Sequence, residues 1–329
     1  MSQVKEQVIE PVSTKEQVIE PAITKEQIVE PVSTKEQVIE QVIESVKKPE
    51  RKPKYKKNLV LSGGGVKGIA HIGGLFALQK LGILDKFETF SVASVGAFTA
   101  CLYSIGYTPA ELYDFIKIFD FVKLKNIDIT NIFNYGLDNG EKLEYVLKRL
   151  IKNKCQNENI TLKEVYDKYK KKIIFSTVCV NDMDIHYISW ETNPDLELWL
   201  AMRMTSAVPF YFCPVLYKGK YYVDGGTWDN YPMCCYTAKE LEEETIGLFL
   251  HSGRTTYKEI LDPETYVLQV LRSLMFGFTQ MTKKGYEKNT INIDLEHVNI
   301  LDFDISSEMK DILFIIGFQS VLQQQDKLL

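Results

Sequence analysis

Apolar and polar residues follow two different patterns along the chain from Tyr55 onward. Short apolar runs bounded by glycine or polar residues are typical of buried strands, and longer segments with apolar residues three and four positions apart are typical of helices. The pattern predicts strands at residues 58–61, 87–92, 172–180, 184–190, 215–224 and 245–251. It predicts helices at residues 69–81, 95–105, 109–119, 140–152, 162–170 and 306–322. Strands that alternate with helices predict an α/β fold with a largely parallel sheet.

The first 54 residues have a different texture. Residues 5–44 repeat a ten-residue unit that opens with Lys-Glu-Gln, and Pro11, Pro21 and Pro31 would interrupt a helix once per repeat. Each unit offers few apolar side chains to bury, so we expect a disordered tail that a protein partner could bind. A basic stretch between Lys47 and Lys57 follows, and it is interpreted either as a solvated linker or as a segment attracted to an anionic membrane. The predicted division is a tail and linker at 1–54 and a folded domain at 55–329.

Composition is that of a globular protein. Of the 329 residues, 45% are hydrophobic and 25% are charged, and the formal net charge is −5. No apolar run approaches the ~18 residues that cross a bilayer, and the amino terminus lacks the basic and apolar regions of a secretory signal. We therefore expect a soluble intracellular protein that associates transiently with membranes at their surface. We expect no cofactor and no nucleic-acid partner.

Cysteine and histidine spacing does not predict a metal site. The chain has six cysteines and four histidines, and the adjacent Cys234 and Cys235 lack the spacing of a zinc or redox motif. Without a secretion signal, the cysteines are interpreted as reduced thiols, and no structural metal is expected.

A glycine-rich loop follows the first predicted strand. Gly63, Gly65 and Gly68 form G-x-G-x-x-G, which is also the dinucleotide-binding fingerprint. A nucleotide site needs an acidic residue at the carboxyl end of the second strand, about 20 positions on, to hold the ribose. Asp85 and Glu88 lie before or at the start of that strand. Nucleotide binding is therefore the weaker interpretation.

Ser94 stands where the second strand turns into a helix. A serine on such a turn is exposed above the sheet and lies close to the backbone amides of the helix amino terminus, which stabilise developing negative charge. The amides of Gly63, Gly64 and Gly65 are candidate donors to the oxyanion of a tetrahedral intermediate. Lys67 in the same loop is interpreted either as solvated or as a contact for an anionic head group.

A serine nucleophile needs a base. His71 follows the glycine loop on a predicted helix, where packing or surface exposure explains it best. Asp224 ends a tyrosine-rich strand, and Gly225 and Gly226 after it allow a close approach of the backbone to another loop. Asp-Gly-Gly is also an ordinary turn sequence, so Asp224 alone does not establish a catalytic base.

The three motifs together resemble those of the patatin-like phospholipases. Their order is Gly63 to Gly68, then Ser94-Val95-Gly96-Ala97, then Asp224-Gly225-Gly226. Thr205 to Phe210, Asn230-Tyr231-Pro232 and the segment before the last helix are also similar to family features. The resemblance covers the chain from Tyr55 to the carboxyl terminus. Only the repeat tail lies outside it.

The resemblance implies a three-layer patatin-like α/β fold and hydrolysis of acyl esters of phospholipids or neutral lipids. It implies a Ser-Asp dyad, with Ser94 as nucleophile and Asp224 as base, and an acyl-enzyme from which water releases the fatty acid. It assigns oxyanion stabilisation to Gly63–Gly68, with Lys67, Gly68, Gly96, Gly225 and Gly226 supporting the motifs. No histidine or metal takes part. The lipid and the ester position stay open.

The elbow departs from the usual G-x-S-x-G, because Val92 replaces the first glycine. The strand-to-helix reversal presses together the residues two before and two after the serine, so a β-branched side chain at this position could displace Ser94. Two interpretations follow. The chain is either a working lipid acyl hydrolase, which we favour, or a silent patatin fold that serves as a lipid-binding or scaffolding protein.

Residues 265–281 carry more apolar side chains than a simple surface helix needs. One interpretation is a helix packed into the core. The other is a mobile cover, or a contact with the lipid interface, near the acyl pocket.

Overall fold

A computed structural model of the chain describes residues 55–251, 260, 263–295 and 304–328. The repeat tail, the basic linker before Tyr55 and the predicted boundary between them and the domain lie outside the described residues. Their predicted disorder and partner binding therefore stay predictions.

A central sheet organises the domain. Its strands are β1 (Asn58–Leu61), β2 (Thr89–Val92), β4 (Lys172–Cys179), β5 (Asp184–Ile188), β7 (Val215–Tyr217), β8 (Lys220–Asp224), β9 (Thr245–His251) and β10 (Thr290–Asp294). They lie in the order β10-β9-β1-β2-β4-β8-β7, and β5 pairs with β4. The first five strands in this order are parallel, whereas β5, β7 and β8 are antiparallel to their neighbours. A separate small sheet pairs β3 (Gly136–Asp138) with β6 (Phe210–Phe212).

Helices flank the sheet. They are α1 (Ile69–Lys80), α2 (Val95–Ser104), α3 (Pro109–Ile118), α4 (Glu141–Cys155), α5 (Leu162–Tyr169), α6 (Leu198–Thr205), α7 (Ala238–Glu244), α8 (Pro263–Lys283) and α9 (Ser307–Gln323). None of these helices, within the described ranges, is both long and apolar enough to cross a bilayer. The expected α/β fold, with a largely parallel sheet between helices, is confirmed.

Local sequence signals explain where several elements begin. All four residues of β1 are buried, because β2 and β9 flank it and helices cover both faces of a parallel sheet. Helices α3, α5 and α7 each start with a capping box, in which a threonine and a glutamate three residues into the helix satisfy each other's backbone amides.

Two predictions of elements need correction. The strand predicted at 215–224 is a hairpin of β7 and β8, because Lys218 and Gly219 both adopt positive φ angles, 49° and 78°, as a two-residue primed turn requires. The structure also contains α6, α7, β10 and the small sheet, which the sequence pattern does not predict. Strands β3 and β6 have three residues each, too few to show an alternating pattern.

Helices α1 and α9 cross at two glycines. A Cβ on Gly317 would collide with the carbonyl of Ala70, and a Cβ on Gly73 would collide with that of Phe314. We expect Gly317→Ala to lower the free energy of unfolding by about 3 kcal/mol, since overpacking against backbone cannot be relieved by a rotamer change.

Gly277→Ala on α8 is the matched control, because its added Cβ meets no atom within 4 Å. This control is expected to raise the free energy of unfolding by about 0.5–1 kcal/mol, as alanine restricts the unfolded chain. Denaturant titration of both variants measures the difference. Similar small effects would contradict the close crossing of α1 and α9.

Candidate active site

The carboxyl ends of β2 and β8 meet beside β4. Strand β5 occupies one edge of β4 over residues 175–179, so β2 and β8 share the other edge. Val92 of β2 pairs with Phe175, and Asp224 of β8 pairs with Thr177 two residues further on. The antiparallel direction of β8 therefore brings the residues that follow β2 towards the end of β8, and Ser94 and Asp224 line the same cavity.

Ser94 occupies a strained turn. Its φ is 48° and its ψ is −122°, a conformation that a residue with a side chain rarely adopts, and α2 begins at the next residue. Gly96 is necessary here because a Cβ would lie 2.5 Å from the carbonyl oxygen of Leu61. Val92, in contrast, is completely buried in β2 and pairs in register with its neighbours. The elbow thus forms with a valine at this position.

A buried threonine anchors the turn. The backbone N–H of Ser94 donates to Oγ1 of Thr205 at 3.0 Å, and Thr205 donates to the carbonyl of Ser176 on β4 at 2.6 Å. Thr205 is the last residue of α6, a helix that the sequence pattern does not reveal, so its role beside Ser94 could not be predicted. Its link to Ser94 spans 111 positions of the chain.

Asp224 is 1% exposed, and the N–H of Gly226 donates to its Oδ1 at 2.7 Å. Burial raises the pKa of Asp224 to about 6, against the opposing effects of the Ser94 side chain and the Gly226 amide. Its Oδ2 is buried and accepts no well-aligned hydrogen bond from the described residues. Gly225 is confined as well, because a Cβ there would collide with Ser176. A carboxylate of this kind can take a proton near neutral pH.

The glycine loop lies beside Ser94, and Gly63, Gly64 and Gly65 line the cavity. The sequence predicts that the amide of Gly63 donates to an oxyanion. In the structure this N–H already donates to the carbonyl oxygen of Asn230 at 3.0 Å. The amides of Gly64 and Gly65 make no hydrogen bond to the described residues. Asn230 also donates through Nδ2 to the carbonyl of Gly63, at 3.4 Å. Gly63 is therefore an anchor of the loop.

Both interpretations of Lys67 are wrong, because its side chain is neither solvated nor accessible to a lipid head group. Its side chain is completely buried and Nζ donates to the carbonyl of Leu295 at 3.0 Å. Burial first, and the charge of Arg272 second, lower the pKa of Lys67 to about 8. Gly68 fixes the loop against the elbow helix, because a Cβ there would collide with the Val95 side chain.

His71 is completely buried, in agreement with the packing interpretation. Its Nε2 lies 2.9 Å from the carbonyl oxygen of Ser62, and burial lowers the pKa of His71 to about 4. It is neutral at physiological pH, and none of the described histidines lines the cavity beside Ser94.

Two cavities meet at Ser94. The first, called the α8 cavity, is lined by the glycine loop, Asp224 and one side of α8, and encloses about 860 Å³ including its mouth. The second, called the apolar cavity, extends between α1, α2, α3 and α4 and encloses about 1000 Å³. Gly65, Ser94 and Val208 line both.

Helix α8 has two different sides. Leu271, Met275 and Phe276 line the α8 cavity. A second row of apolar side chains, called the α8 stripe, is between 43% and 73% exposed, and its members are Tyr266, Val270, Leu274, Phe278 and Met281. The core-packing interpretation is wrong for the stripe. Helix α8 thus forms one wall of the α8 cavity and exposes the α8 stripe.

One cluster outside the cavities has the donor types of a metal site. Ligand atoms of Cys179, Asp182 and His186 lie within 4.8 Å of one another. Lys220 donates to both carboxylate oxygens of Asp182, at 2.9 and 2.7 Å, so a cation of the chain already occupies the approach to the acidic ligand. The donor set fits a metal poorly.

The chain is similar to known proteins in sequence and in fold. The chain is 33% identical over 188 residues to a probable lipid hydrolase of Invertebrate iridescent virus 6, which covers 55% of this chain and 63% of that protein. It is 28% identical over 180 residues to lysophospholipase NTE1 of Meyerozyma guilliermondii, covering 53% of this chain and 11% of the relative. The crystal structure of VipD from Legionella pneumophila matches with a TM-score of 0.57 and 18% identity, over 84% of this chain and 67% of that one, and shows the same fold.

The chain spans about two thirds or less of each of these proteins. The model of the patatin-like phospholipase family nevertheless matches residues 59–233, a range that holds the glycine loop, the Ser94 elbow and Asp224. By this match over more than half its length, the chain belongs to the patatin-like phospholipase family.

Proposed function

We propose that the chain hydrolyses acyl ester bonds of lipids through a dyad of Ser94 and Asp224 and an acyl-enzyme intermediate. The observation that carries this proposal is the shared cavity, where a serine on a strained elbow, a buried carboxylate and two unengaged glycine amides lie together. Membership of a family of lipid hydrolases supports the same chemistry.

In the acylation step, the Ser94 hydroxyl attacks the ester carbonyl carbon and its proton passes to Asp224. The oxyanion that forms accepts hydrogen bonds from the backbone amides of Gly64 and Gly65, which are two of the three donors predicted from the sequence. The third, Gly63, is excluded because its amide already donates to Asn230. The amino terminus of α2 adds a favourable dipole. When the carbon–oxygen bond to the alcohol breaks, Asp224 returns the proton to the leaving oxygen.

In the deacylation step, water attacks the Ser94 ester. Asp224 again takes the proton and then gives it to Oγ of Ser94, as the second tetrahedral intermediate collapses to a fatty acid and the free serine. The carboxylate performs both transfers because His71 is buried, neutral and outside the cavity.

The alternative of a silent fold is not favoured. Its main reason was crowding by Val92, but Val92 occupies an ordinary buried position in β2 and the crowded side of the elbow holds Gly96. Esterase turnover and fluorophosphonate labelling of the full chain test the proposal, and labelling must depend on Ser94. A native chain that neither turns over esters nor reacts with the probe would overturn it.

We further propose that the exposed apolar surface at the site contacts a lipid bilayer. The α8 stripe lies on the helix that covers the α8 cavity. A second exposed surface lies on residues 118–133, where Ile118 and Phe133 are 85% and 84% exposed, while Phe119 and Phe121 of the same segment line the apolar cavity. Each cavity thus has an apolar outer surface beside it, as an enzyme needs when its substrate resides in a membrane.

Polar substitutions in the α8 stripe should lower the hydrolysis of phospholipid vesicles but not that of a water-soluble ester. We expect Leu274→Gln with Met281→Gln to lower the hydrolysis rate on phospholipid vesicles about tenfold or more, because the lost apolar area weakens binding to the bilayer. Turnover of a water-soluble nitrophenyl ester should change by less than about twofold, since neither residue lines a cavity.

Met183→Gln is the matched control, because Met183 is 81% exposed and lies in the turn between β4 and β5. It should leave both rates unchanged. Equal losses on vesicles and on the soluble ester in the α8 double variant would contradict membrane contact.

A further inference from the structure

Two adjacent thiols, Cys234 and Cys235, differ from the other cysteines of the chain. All six cysteines are free, but Cys234 is exposed and Cys235 is half-buried. The four buried ones are Cys101, Cys155, Cys179 and Cys213. The side chains of Cys234 and Cys235 also contact each other, in the 3₁₀ turn Met233–Cys235. A reagent in solution therefore meets two thiols together at this turn.

A carboxylate and a phenol surround the exposed thiol. Sγ of Cys234 donates to Oδ2 of Asp229 at 3.3 Å and lies 2.8 Å from the hydroxyl oxygen of Tyr187. A hydrogen bond with Cys235 lowers the pKa of Cys234, while burial and the charge of Asp229 oppose this effect. The thiolate is the reactive form of a cysteine, and Asp229 lies where it can accept the thiol proton. An accessible thiol with a proton acceptor and a neighbouring thiol has the features of an oxidation-sensitive cysteine.

We propose that Cys234 and Cys235 form an oxidation site, called the thiol pair, at which a hydroperoxide joins them in a disulfide. First, the Cys234 sulfur attacks the terminal peroxide oxygen, the O–O bond breaks, and an alcohol leaves with the thiol proton; with hydrogen peroxide the leaving molecule is water. Then the Cys235 thiol displaces the oxygen on sulfur as water, and the S–S bond forms. The two thiols lose two electrons and two protons, and the hydroperoxide is reduced.

A disulfide between neighbouring residues is readily reduced. Consecutive Cα atoms are about 3.8 Å apart, which is less than the usual separation of ~4.4–6.8 Å across a disulfide, so the bond is strained. Strained and exposed disulfides have the potentials of labile, regulatory ones. Oxidation of the thiol pair should therefore be reversed by a small dithiol.

Asp229 connects the thiol pair to the glycine loop. It is 4% exposed, and its Oδ2 accepts hydrogen bonds from the side chains of Tyr187 and Cys234. The next residue, Asn230, accepts from the Gly63 amide at 3.0 Å and donates back to the Gly63 carbonyl at 3.4 Å. Disulfide formation removes the Cys234 donor from this buried carboxylate, so the turn that holds the glycine loop should shift. This consequence rests on the function proposed above and adds its regulation.

Peptide mass spectrometry of the full chain, after hydrogen peroxide and then an alkylating reagent, tests the chemistry. The peptide with Cys234 and Cys235 should lose the mass of two hydrogen atoms, resist alkylation, and regain both thiols with dithiothreitol. Cys235→Ser removes the second thiol, so a sulfenic acid should accumulate on Cys234 and react with dimedone. Cys155→Ser is the matched control, because it removes a buried thiol outside the pair, and it should oxidise like the native chain.

Turnover of a nitrophenyl ester before and after the same treatment tests the connection to Ser94. We expect kcat/KM of the native chain to fall about tenfold on oxidation and to recover with dithiothreitol, because small displacements of an active-site loop lower the rate strongly. Cys234→Ser should keep its rate in peroxide. This variant also controls for oxidation of Met275, which lines the α8 cavity.

Native chain that forms no disulfide in peroxide, or a Cys235→Ser variant that gives no dimedone adduct on Cys234, would overturn the oxidation site. A complete disulfide with unchanged turnover would overturn its connection to the glycine loop. Failure of the proposed function is a separate observation, namely a fully reduced native chain with no Ser94-dependent turnover, and the mass measurements do not depend on it.

Discussion

Replacement of Ser94 by alanine is expected to lower kcat/KM for a nitrophenyl ester by at least about 10³-fold and to abolish labelling by a fluorophosphonate. The expected loss is large because the two residues of the proposed dyad act as a unit, and without the hydroxyl only the proposed oxyanion donors and substrate binding would remain. Ser94 is the residue on the strained elbow, at the junction of both cavities, so the neighbouring side chains cannot replace it as nucleophile. Turnover and labelling are measured on the same preparation.

Ser104→Ala is the matched control. Ser104 is the last residue of α2, the helix that follows Ser94. It is buried and its hydroxyl has no hydrogen-bond partner among the described residues, so removal of this hydroxyl should leave labelling intact. Val92→Gly provides a second comparison, and we expect no gain in activity from it because Val92 is accommodated in β2. Labelling that survives in Ser94→Ala, or activity that appears only in Val92→Gly, would contradict the proposed nucleophile or the working elbow.

Much of the fold could be predicted from the sequence, because continuous apolar runs and capping signals are local. Strand β1 was predicted with its observed bounds, and the helices at α1 and α2 to within one residue at their carboxyl ends. The three family motifs indicate which residues form the site, because they occur in a fixed order along the chain. They do not give the register between strands, and it is the register of β2 and β8 on β4 that brings Ser94 and Asp224 to one cavity.

The details of the site depend on contacts between distant residues, which a local pattern does not contain. The amide of Gly63 is engaged by Asn230, which lies 167 positions further along the chain, and Lys67 reaches Leu295 across 228 positions. A lysine in the first turn of a helix is ordinarily solvated, so its burial could not be anticipated. Arg272 belongs to an apolar segment of the sequence, and only the orientation of α8 brings it to the cavity that Ser94 also lines.

The pH dependence of turnover is expected to follow the ionisation of Asp224. If the ionised carboxylate is the base, as proposed, kcat/KM should fall about tenfold per pH unit below a midpoint near pH 6 and reach a plateau above pH 7. Asp224→Asn should lower kcat/KM by about 10³-fold or more at every pH. Asp195→Asn, a change at an exposed carboxylate, should leave the profile unchanged.

Stability should change in the opposite direction from activity. An unfolded aspartate has a pKa near 3.9, so between pH 4 and pH 6 the unfolded state has already lost the proton that the folded state still holds, and the free energy of unfolding falls as pH rises. A pKa of about 6 in the fold corresponds to a cost of roughly 3 kcal/mol once the pH exceeds 7. Asp224→Asn carries no such charge, so it should be more stable than the native chain by up to about 3 kcal/mol at pH 8 and about equally stable at pH 4. Denaturant titration at the two pH values measures this difference. If the stability gain of Asp224→Asn over the native chain is no larger at pH 8 than at pH 4, burial does not destabilise the ionised carboxylate of Asp224. If kcat/KM of the native chain instead falls with a midpoint near pH 4, the base is another group.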